Sequence, residues 1–231
     1  MNCLTCHNEI QQKVNWHTLI LKEEEWFLCQ ECEKQLSRIE GETCRVCHRS
    51  FNLLSKEYQK GELCYDCFRW ERDEEWKGAL IKNTSLYLYN DFLKELIARY
   101  KYRGDYILSK IFAKQLSSLL KGYELLVPIP LSEERLDERG FNQAEALIVQ
   151  AGHTPAYLLT RTHSEKQSKK SREDRIHLEQ VFRVERGVDV EGKRVLLVDD
   201  IYTTGSTLRH AGKVLREAGA SQIHSITLAR G

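Results

Sequence analysis

Apolar residues recur through the C-terminal two thirds of the chain at two spacings, one typical of helices and one typical of buried strands. Helical spacing is found at residues 90–102, 106–120, 142–150 and 207–218. Short apolar runs that predict strands lie at residues 86–89, 125–130, 181–185, 194–198 and 223–228. Because strands alternate with helices, the pattern predicts an α/β fold whose parallel sheet is flanked by helices.

Cysteine is confined to the N-terminal third, where all eight residues of this type precede position 68. They form four CxxC pairs: Cys3 with Cys6, Cys29 with Cys32, Cys44 with Cys47, and Cys64 with Cys67. A CxxC turn aims two sulfurs at one point, and two such turns make the tetrahedral thiolate cage that Zn²⁺ prefers. Because four thiolates leave no position for water, the pattern predicts two structural zinc ions.

The cysteine pattern leaves the pairing of the CxxC turns open. Sequential pairing assigns the first two turns to one ion and the last two to the other, whereas cross-bracing interleaves them. His7 and His48 complete two CxxCH strings of the kind that attach haem, but the other two turns lack a histidine. Met1 is the single methionine, so a methionine axial ligand is not available. We therefore favour zinc and interpret both histidines as bystanders.

Charge and composition separate the two parts of the chain. The 35 basic and 34 acidic residues nearly balance, yet residues 1–77 carry 11 basic and 15 acidic residues and residues 78–231 carry 24 and 19. A phosphate-rich partner therefore favours the C-terminal part. The charged run at 71–77 predicts a solvated connector, so we divide the chain into a double zinc-ribbon domain at 1–77 and an α/β domain at 84–231.

The first residues have neither a basic nor an apolar region of the kind that signal peptides carry. No window approaches the roughly 20 apolar residues of a membrane span. We expect a cytoplasmic protein with no integral membrane segment.

The sharpest motif of the chain is Val195-Leu196-Leu197-Val198-Asp199-Asp200-Ile201-Tyr202-Thr203-Thr204-Gly205-Ser206-Thr207. A buried strand leads to two carboxylates, which can accept hydrogen bonds from the vicinal hydroxyls of a sugar. The hydroxyls of Thr203, Thr204, Ser206 and Thr207 and the start of the next helix can then donate to a phosphate. Gly205 allows the backbone to approach that phosphate closely.

This motif resembles the signature of type I phosphoribosyltransferases, which bind phosphoribosyl pyrophosphate (PRPP) together with Mg²⁺. The resemblance implies that Asp199 and Asp200 hold the ribose hydroxyls and that the loop holds the 5′-phosphate. It implies a type I phosphoribosyltransferase-like parallel sheet flanked by helices, preceded by the small zinc-ribbon domain. Thr203 stands where members acting on 6-oxopurines carry an aspartate, so the motif specifies no acceptor.

A second segment, Arg139-Gly140-Phe141-Asn142-Gln143, follows the predicted strand at 125–130, and Arg135 precedes it. Two arginines can clamp the oxygens of a pyrophosphate with charge-assisted hydrogen bonds. Together with the string at 101–105 and the CxxC pairs, this segment resembles the ComF/GntX family along the whole chain. The resemblance implies a role in DNA uptake during natural transformation, beside a ComFA-type ATPase.

The stretch at 161–175 is strongly basic. Members of the type I family have a mobile lid there, so the resemblance makes Lys166 a candidate ligand contact, with Gln167 and Ser168. The same positive charge could bind the backbone of single-stranded DNA. Candidate side chains for stacking on its bases are Tyr100, Tyr102, Phe141 and Tyr202.

Two functions stay open at this point. One is a phosphoribosyltransferase, a glycosyltransferase that joins the ribose of PRPP to an unknown acceptor. The alternative is a non-catalytic adaptor that binds a nucleotide or single-stranded DNA. No residue presents itself as a general base, so we assign no catalytic residue.

Overall fold

The computed structural model describes residues 1–10, 26–161, 181–185 and 187–231. The helices in this part of the chain are α1 (Gln30–Lys34), α2 (Tyr65–Arg72), α3 (Asp91–Tyr102), α4 (Lys110–Leu119), α5 (Glu133–Arg139), α6 (Gln143–Gln150) and α7 (Ser206–Glu217). The strands are β1 (Gln59–Lys60), β2 (Leu63–Cys64), β3 (Lys82–Leu88), β4 (Leu125–Pro128), β5 (Leu159–Arg161), β6 (Phe182–Val184), β7 (Arg194–Tyr202) and β8 (Gln222–Arg230). Short 3₁₀ turns occupy Phe51–Leu53, Lys56–Tyr58 and Tyr106–Ser109. None of the helices described is long and apolar enough to cross a membrane.

Four parallel strands form the central sheet, in the order β3-β8-β7-β4. Val198 of β7 lies opposite Pro128 on one side and opposite Ile226 on the other. The two remaining sheets are antiparallel pairs, β1 with β2 and β5 with β6. The parallel sheet predicted from the alternation of strands and helices is confirmed.

Both faces of the central sheet are covered, which explains why residues 195–198 are buried without alternation. Leu196 and Val198 face one apolar core, which α3, α4 and α6 complete. Val195 and Leu197 face a second core, to which α7 and the strands β5 and β6 contribute. The sheet therefore separates two cores, and each of them also receives cysteines from the N-terminal part of the chain.

The charged run at 71–77 is solvated at Arg72, Glu74, Glu75 and Lys77, as predicted, but the run also packs against the α/β part of the chain through Trp76, which the prediction missed. Trp76 is 3% exposed. Its ring lies 4.5 Å from that of His210 on α7 and 5.4 Å from that of Trp70 on α2. The apolar area of two tryptophans outweighs the surrounding charges, which remain at the surface around them.

The segment after β4 is helical, although no apolar periodicity predicts a helix there. Ser132 caps α5 by accepting a hydrogen bond from the backbone of Arg135 at 3.4 Å, and Glu133 and Glu134 occupy its first turn. Gly140 ends the helix in the left-handed conformation. Asn142 then caps α6, so the helix predicted at 142–150 is confirmed.

Candidate functional site

The two carboxylates lie near the carboxyl end of β7, as the motif predicts, but the strand continues past them to Tyr202. Asp200 is buried, and its Oδ2 lies 2.5 Å from Nζ of Lys101 at the end of α3. Lys101 was not among the predicted site residues. It belongs to the string at 101–105, which contributed to the family resemblance, but its partner lies 99 positions away in the sequence.

Asp199 is the more perturbed of the two acids. Desolvation of its carboxylate, with repulsion from Asp200, raises its pKa to about 7. Lys101 and Arg139 act in the opposite direction but do not compensate. The site therefore holds one carboxylate paired with a lysine and one that changes its charge near neutral pH.

Arginines from the neighbouring elements face this acid pair. Arg139, at the end of α5, acts on the carboxylate of Asp199 and donates from Nη1 to Oε1 of Gln143 at 2.8 Å. Arg161, at the end of β5, also interacts with Asp199, and burial lowers the pKa of its guanidinium, with a smaller contribution from the nearby charge of Arg135. Of the predicted pair, Arg139 thus acts on the acids together with Lys101 and Arg161, whereas Arg135 is exposed and lies near Arg161.

The hydroxyl-rich loop connects β7 to α7. Thr203, Thr204 and Thr207 are exposed at the surface, and Ser206 begins a helix of 12 residues. The backbone N–H groups of the first turn of that helix form an anion-binding end. The loop therefore presents hydroxyl donors next to the acid pair, in the order that the motif predicts.

Gly205 has a structural reason to be glycine that differs from the predicted one. Its φ is +81°, a conformation that side chains disfavour. A Cβ added there would lie 2.0 Å from the hydroxyl oxygen of Tyr202. The packing of Tyr202 beneath the loop therefore already requires glycine, before any phosphate is bound.

The structure bears on only some of the ligand and nucleic-acid contacts that the sequence predicts. Lys166, Gln167 and Ser168 lie outside the described residues. Tyr100 and Tyr202 are each 1% exposed, so they pack in the core and cannot stack on a nucleic acid. Tyr102, in contrast, is 69% exposed, and the guanidinium of Arg139 lies 5.6 Å from the centre of its ring.

The eight cysteines form two groups that could each hold a metal ion. One consists of Cys3, Cys6, Cys29 and Cys32, and the other of Cys44, Cys47, Cys64 and Cys67. Within each group the sulfurs lie within 4.8 Å of one another, so the turns pair sequentially and not in a cross-braced manner. Two of the sulfur–sulfur distances are 3.7 and 3.5 Å. Tetrahedral zinc with bonds of about 2.3 Å requires about 3.8 Å, so the donor sets fit this ion.

The two histidines that follow CxxC turns are not metal ligands in this geometry. His7 and His48 have φ values of 62° and 60°, which close the turns around the first and third pairs. His48 Nδ1 lies 3.2 Å from the backbone nitrogen of Ser85 on β3. The interpretation of both histidines as bystanders agrees with this placement.

A parallel sheet with an acid pair at the end of a central strand, followed by a hydroxyl-rich loop and a helix, defines a phosphoribosyltransferase domain of type I. Residues 136–231 match the phosphoribosyl transferase domain family. The chain is 37% identical to competence protein ComFC of Bacillus subtilis, over 99% of this chain and 94% of that protein. It is 35% identical to ComFC of Streptococcus pneumoniae over the full length of both chains, and 28% identical to competence protein F of Haemophilus influenzae over 88% of this chain and 90% of that one.

The chain therefore belongs to the ComFC family of competence proteins. Membership in this family and the phosphoribosyltransferase domain support a role in competence.

Proposed function

We propose that this protein binds PRPP with Mg²⁺ at the carboxyl end of β7 and serves DNA uptake from the cytoplasmic side. The observation that carries the proposal is the arrangement of Asp199 and Asp200 among the cationic side chains of Lys101, Arg139 and Arg161, next to the hydroxyl-rich loop. PRPP carries a sugar diol between a 5′-phosphate and a pyrophosphate. The acids, the hydroxyl-rich loop and the cations offer a partner for each of these three parts.

Each part of the ligand has a counterpart in the site. The carboxylates accept hydrogen bonds from the ribose hydroxyls, and the loop at 203–207 donates to the 5′-phosphate. Arg135, Arg139 and Arg161 neutralise the pyrophosphate. Mg²⁺, bound through phosphate oxygens, supplies the remaining positive charge. Water is displaced from this group of charges on binding, which strengthens each of the interactions.

The ion pair between Lys101 and Asp200 does not block the ligand. A carboxylate has about four acceptor positions, and Lys101 occupies one of the two oxygens of Asp200 at 2.5 Å. A sugar hydroxyl can use the other oxygen.

Turnover is a further part of the proposal. A nucleophile of unknown identity attacks C1 of the ribose, the bond to pyrophosphate breaks, and Mg²⁺ and the arginines stabilise the leaving group. Incubation of the protein with PRPP, Mg²⁺ and a panel of nitrogenous bases should then release pyrophosphate with one of them. Release with none of the bases would favour a binding role.

Calorimetry with PRPP and Mg²⁺ tests the site. The double variant D199A/D200A should bind at least a hundredfold more weakly, because two charge-assisted hydrogen bonds contribute about 3–6 kcal/mol. Asp137→Ala, in an exposed position on α5, is the matched control and should bind as the parent protein does. Equal affinity of the parent protein and the double variant would place the ligand elsewhere.

A second candidate function is a single-stranded DNA adaptor that acts beside a ComFA-type ATPase. The observation in its favour is Tyr102, whose exposed ring lies next to the guanidinium of Arg139. Base stacking on such a ring is worth about 1–3 kcal/mol. Tyr102→Ala should weaken binding of a labelled oligonucleotide roughly tenfold by anisotropy, and affinity should fall as salt rises. Tyr58→Ala, exposed in the acidic N-terminal part, should have no effect, and equal loss in both variants would contradict a platform at Tyr102.

A further inference from the structure

Two arginines of the α/β part are buried against the second group of cysteines. Arg209 on α7 is 0% exposed and Arg230 on β8 is 4% exposed. A guanidinium removed from water needs compensating negative charge and hydrogen bonds. The groups around the two guanidinium ions therefore indicate the role of these arginines.

Both guanidinium groups face sulfur atoms. Arg230 Nη2 lies 3.4 Å from Sγ of Cys47, and Arg209 Nη2 lies 3.9 Å from Sγ of Cys67. Four thiolates around a divalent ion carry a net charge of about −2, which the two arginines face from within the core. Glu71 completes the arrangement at its outer edge, because its Oε1 accepts from Arg209 at 2.8 Å.

The same two arginines reach the loop between β7 and α7. Arg230 Nη1 donates to the carbonyl oxygens of Tyr202 at 3.1 Å and Thr203 at 3.0 Å, and it also contacts the terminal oxygen of Gly231. Arg209 lies in the first turn of α7, where its backbone nitrogen donates to Gly205 at 2.9 Å. The side chain of Arg230 thus contacts both the sulfur cluster and the backbone next to the hydroxyl-rich loop. The side chain of Arg209 contacts the cluster, and only its backbone bonds to Gly205.

A third contact joins the cluster to the loop from the other direction. Trp70 lies on α2, the helix that also carries Cys67, and its indole nitrogen donates to the carbonyl oxygen of Thr204 at 3.3 Å. The guanidinium of Arg209 lies 5.3 Å from the centre of the Trp70 ring. The carbonyls of three consecutive loop residues, 202–204, are therefore held by side chains that belong to the cluster or touch it.

The first group of cysteines has no such arrangement within the described part of the chain. Cys6 is exposed and Cys29 is partly exposed. Arg99 donates to the backbone oxygens of Thr5 and Leu4 at 3.1 Å, not to sulfur, and pairs with Asp105. The two groups are thus chemically alike but differ in burial and in the charges around them.

We propose that Arg230 and Arg209 are positioning residues for a metal centre at the second group of cysteines. Both stabilise that centre, and Arg230 also joins it to the backbone of the hydroxyl-rich loop, whose position it thereby fixes. Four thiolates there would hold Zn²⁺, and the ion would supply a rigid, negatively charged anchor. The effect on the metal follows from the contacts alone, whereas the effect on the ligand rests on the proposed binding of PRPP.

Metal release to a chelating dye and calorimetry with PRPP test the proposal on the full chain. The parent protein should release zinc in two phases, a fast one from the exposed first group and a slow one from the buried second group. Arg230→Met should accelerate the slow phase at least tenfold, as loss of an outer-shell partner typically does, and should weaken PRPP at least tenfold. The fast phase should not change.

Two further variants separate charge from geometry. Arg230→Lys keeps the charge but not the planar fork, so it should retain zinc better than Arg230→Met while still binding PRPP weakly. Arg45→Met removes an exposed guanidinium from the turn between Cys44 and Cys47, where it pairs with Glu62 at 3.2 Å, and should change neither measurement.

The outcomes distinguish the two proposals. A slow phase in Arg230→Met and Arg230→Lys that matches the parent protein would overturn the role of the arginine at the metal. Accelerated zinc release with unchanged PRPP affinity would overturn the connection to the loop. If the parent protein itself does not bind PRPP, the proposed function fails, and the release rates alone decide the role of the arginine at the metal.

Discussion

Substitution of Asp199 by asparagine should stabilise the protein, by an amount that depends on pH. The pKa of this carboxyl is about 7 in the folded protein, against 3.8 without the fold. A raised pKa means that the folded state favours the protonated form. Its contribution to stability is therefore complete below about pH 4 and is lost as the pH rises through about 7. Asparagine carries no charge at any of these values, so Asp199→Asn avoids that loss.

The size of the effect follows from the shift. A difference of about 3 pKa units corresponds to about 4 kcal/mol of unfolding free energy at pH 8. Solvent reaches part of the half-buried side chain, so we expect about 2 kcal/mol. The charge of Asp199 is thus a source of instability, which the proposed binding of PRPP would offset.

Urea unfolding of the zinc-loaded protein at pH 5, 6, 7 and 8 measures this difference. The stability of Asp199→Asn relative to the parent protein should increase between pH 5 and 7 and level off by pH 8. Asp137→Asn, exposed on α5, should show no such trend. A difference that does not change with pH, or a variant less stable than the parent at pH 8, would refute the assignment of a destabilising charge to Asp199.

Three further predictions concern the metal, the loop and the lysine. Elemental analysis should find about two zinc ions per chain, and a ratio near one would contradict two filled cages. Gly205→Ala should lower the unfolding free energy by about 1–3 kcal/mol, because its Cβ would meet Tyr202; an unchanged denaturation midpoint would be inconsistent with that contact. Lys101→Met should destabilise the protein by about 3 kcal/mol and raise the pKa of Asp199 further, which NMR titration of the carboxyl can follow; a lowered pKa would show that Lys101 does not act on this group.

The elements that sequence predicts well are those with a strong local signal. Apolar periodicity was sufficient for α3 and α6, and an uninterrupted apolar run was sufficient for β7. The helix α5 was not predicted because it consists of acids and arginines around a single apolar residue, Leu136, and so has no apolar face. It is stabilised by a cap at Ser132 and by the left-handed Gly140, both of which are weak signals in a sequence.

The residues of the site likewise divide into those with a local signal in the sequence and those without one. Asp199, Asp200 and the loop after them are contiguous in sequence, so one motif predicts them together. Lys101 and Arg161 come from distant elements, and their approach to the acid pair is a product of the tertiary fold. The burial of Trp76 was missed for a related reason, since six charged residues surround this one apolar side chain in the sequence and its partner lies on α7.

The position of β3 at one end of the sheet has a consequence for the solution behaviour of the protein. Its outer side bonds to the cysteine-rich part, through Leu88 to Ser37 at 2.8 Å, Asn83 to Val46 at 2.6 Å, and Ser85 to His48 at 3.2 Å. An uncovered edge strand is a template for pairing with another chain. Because these partners lie beside the two sulfur clusters, removal of metal should free the edge and promote self-association. By covering this edge, the N-terminal part protects the sheet from aggregation, in addition to the role that we propose for it at the hydroxyl-rich loop.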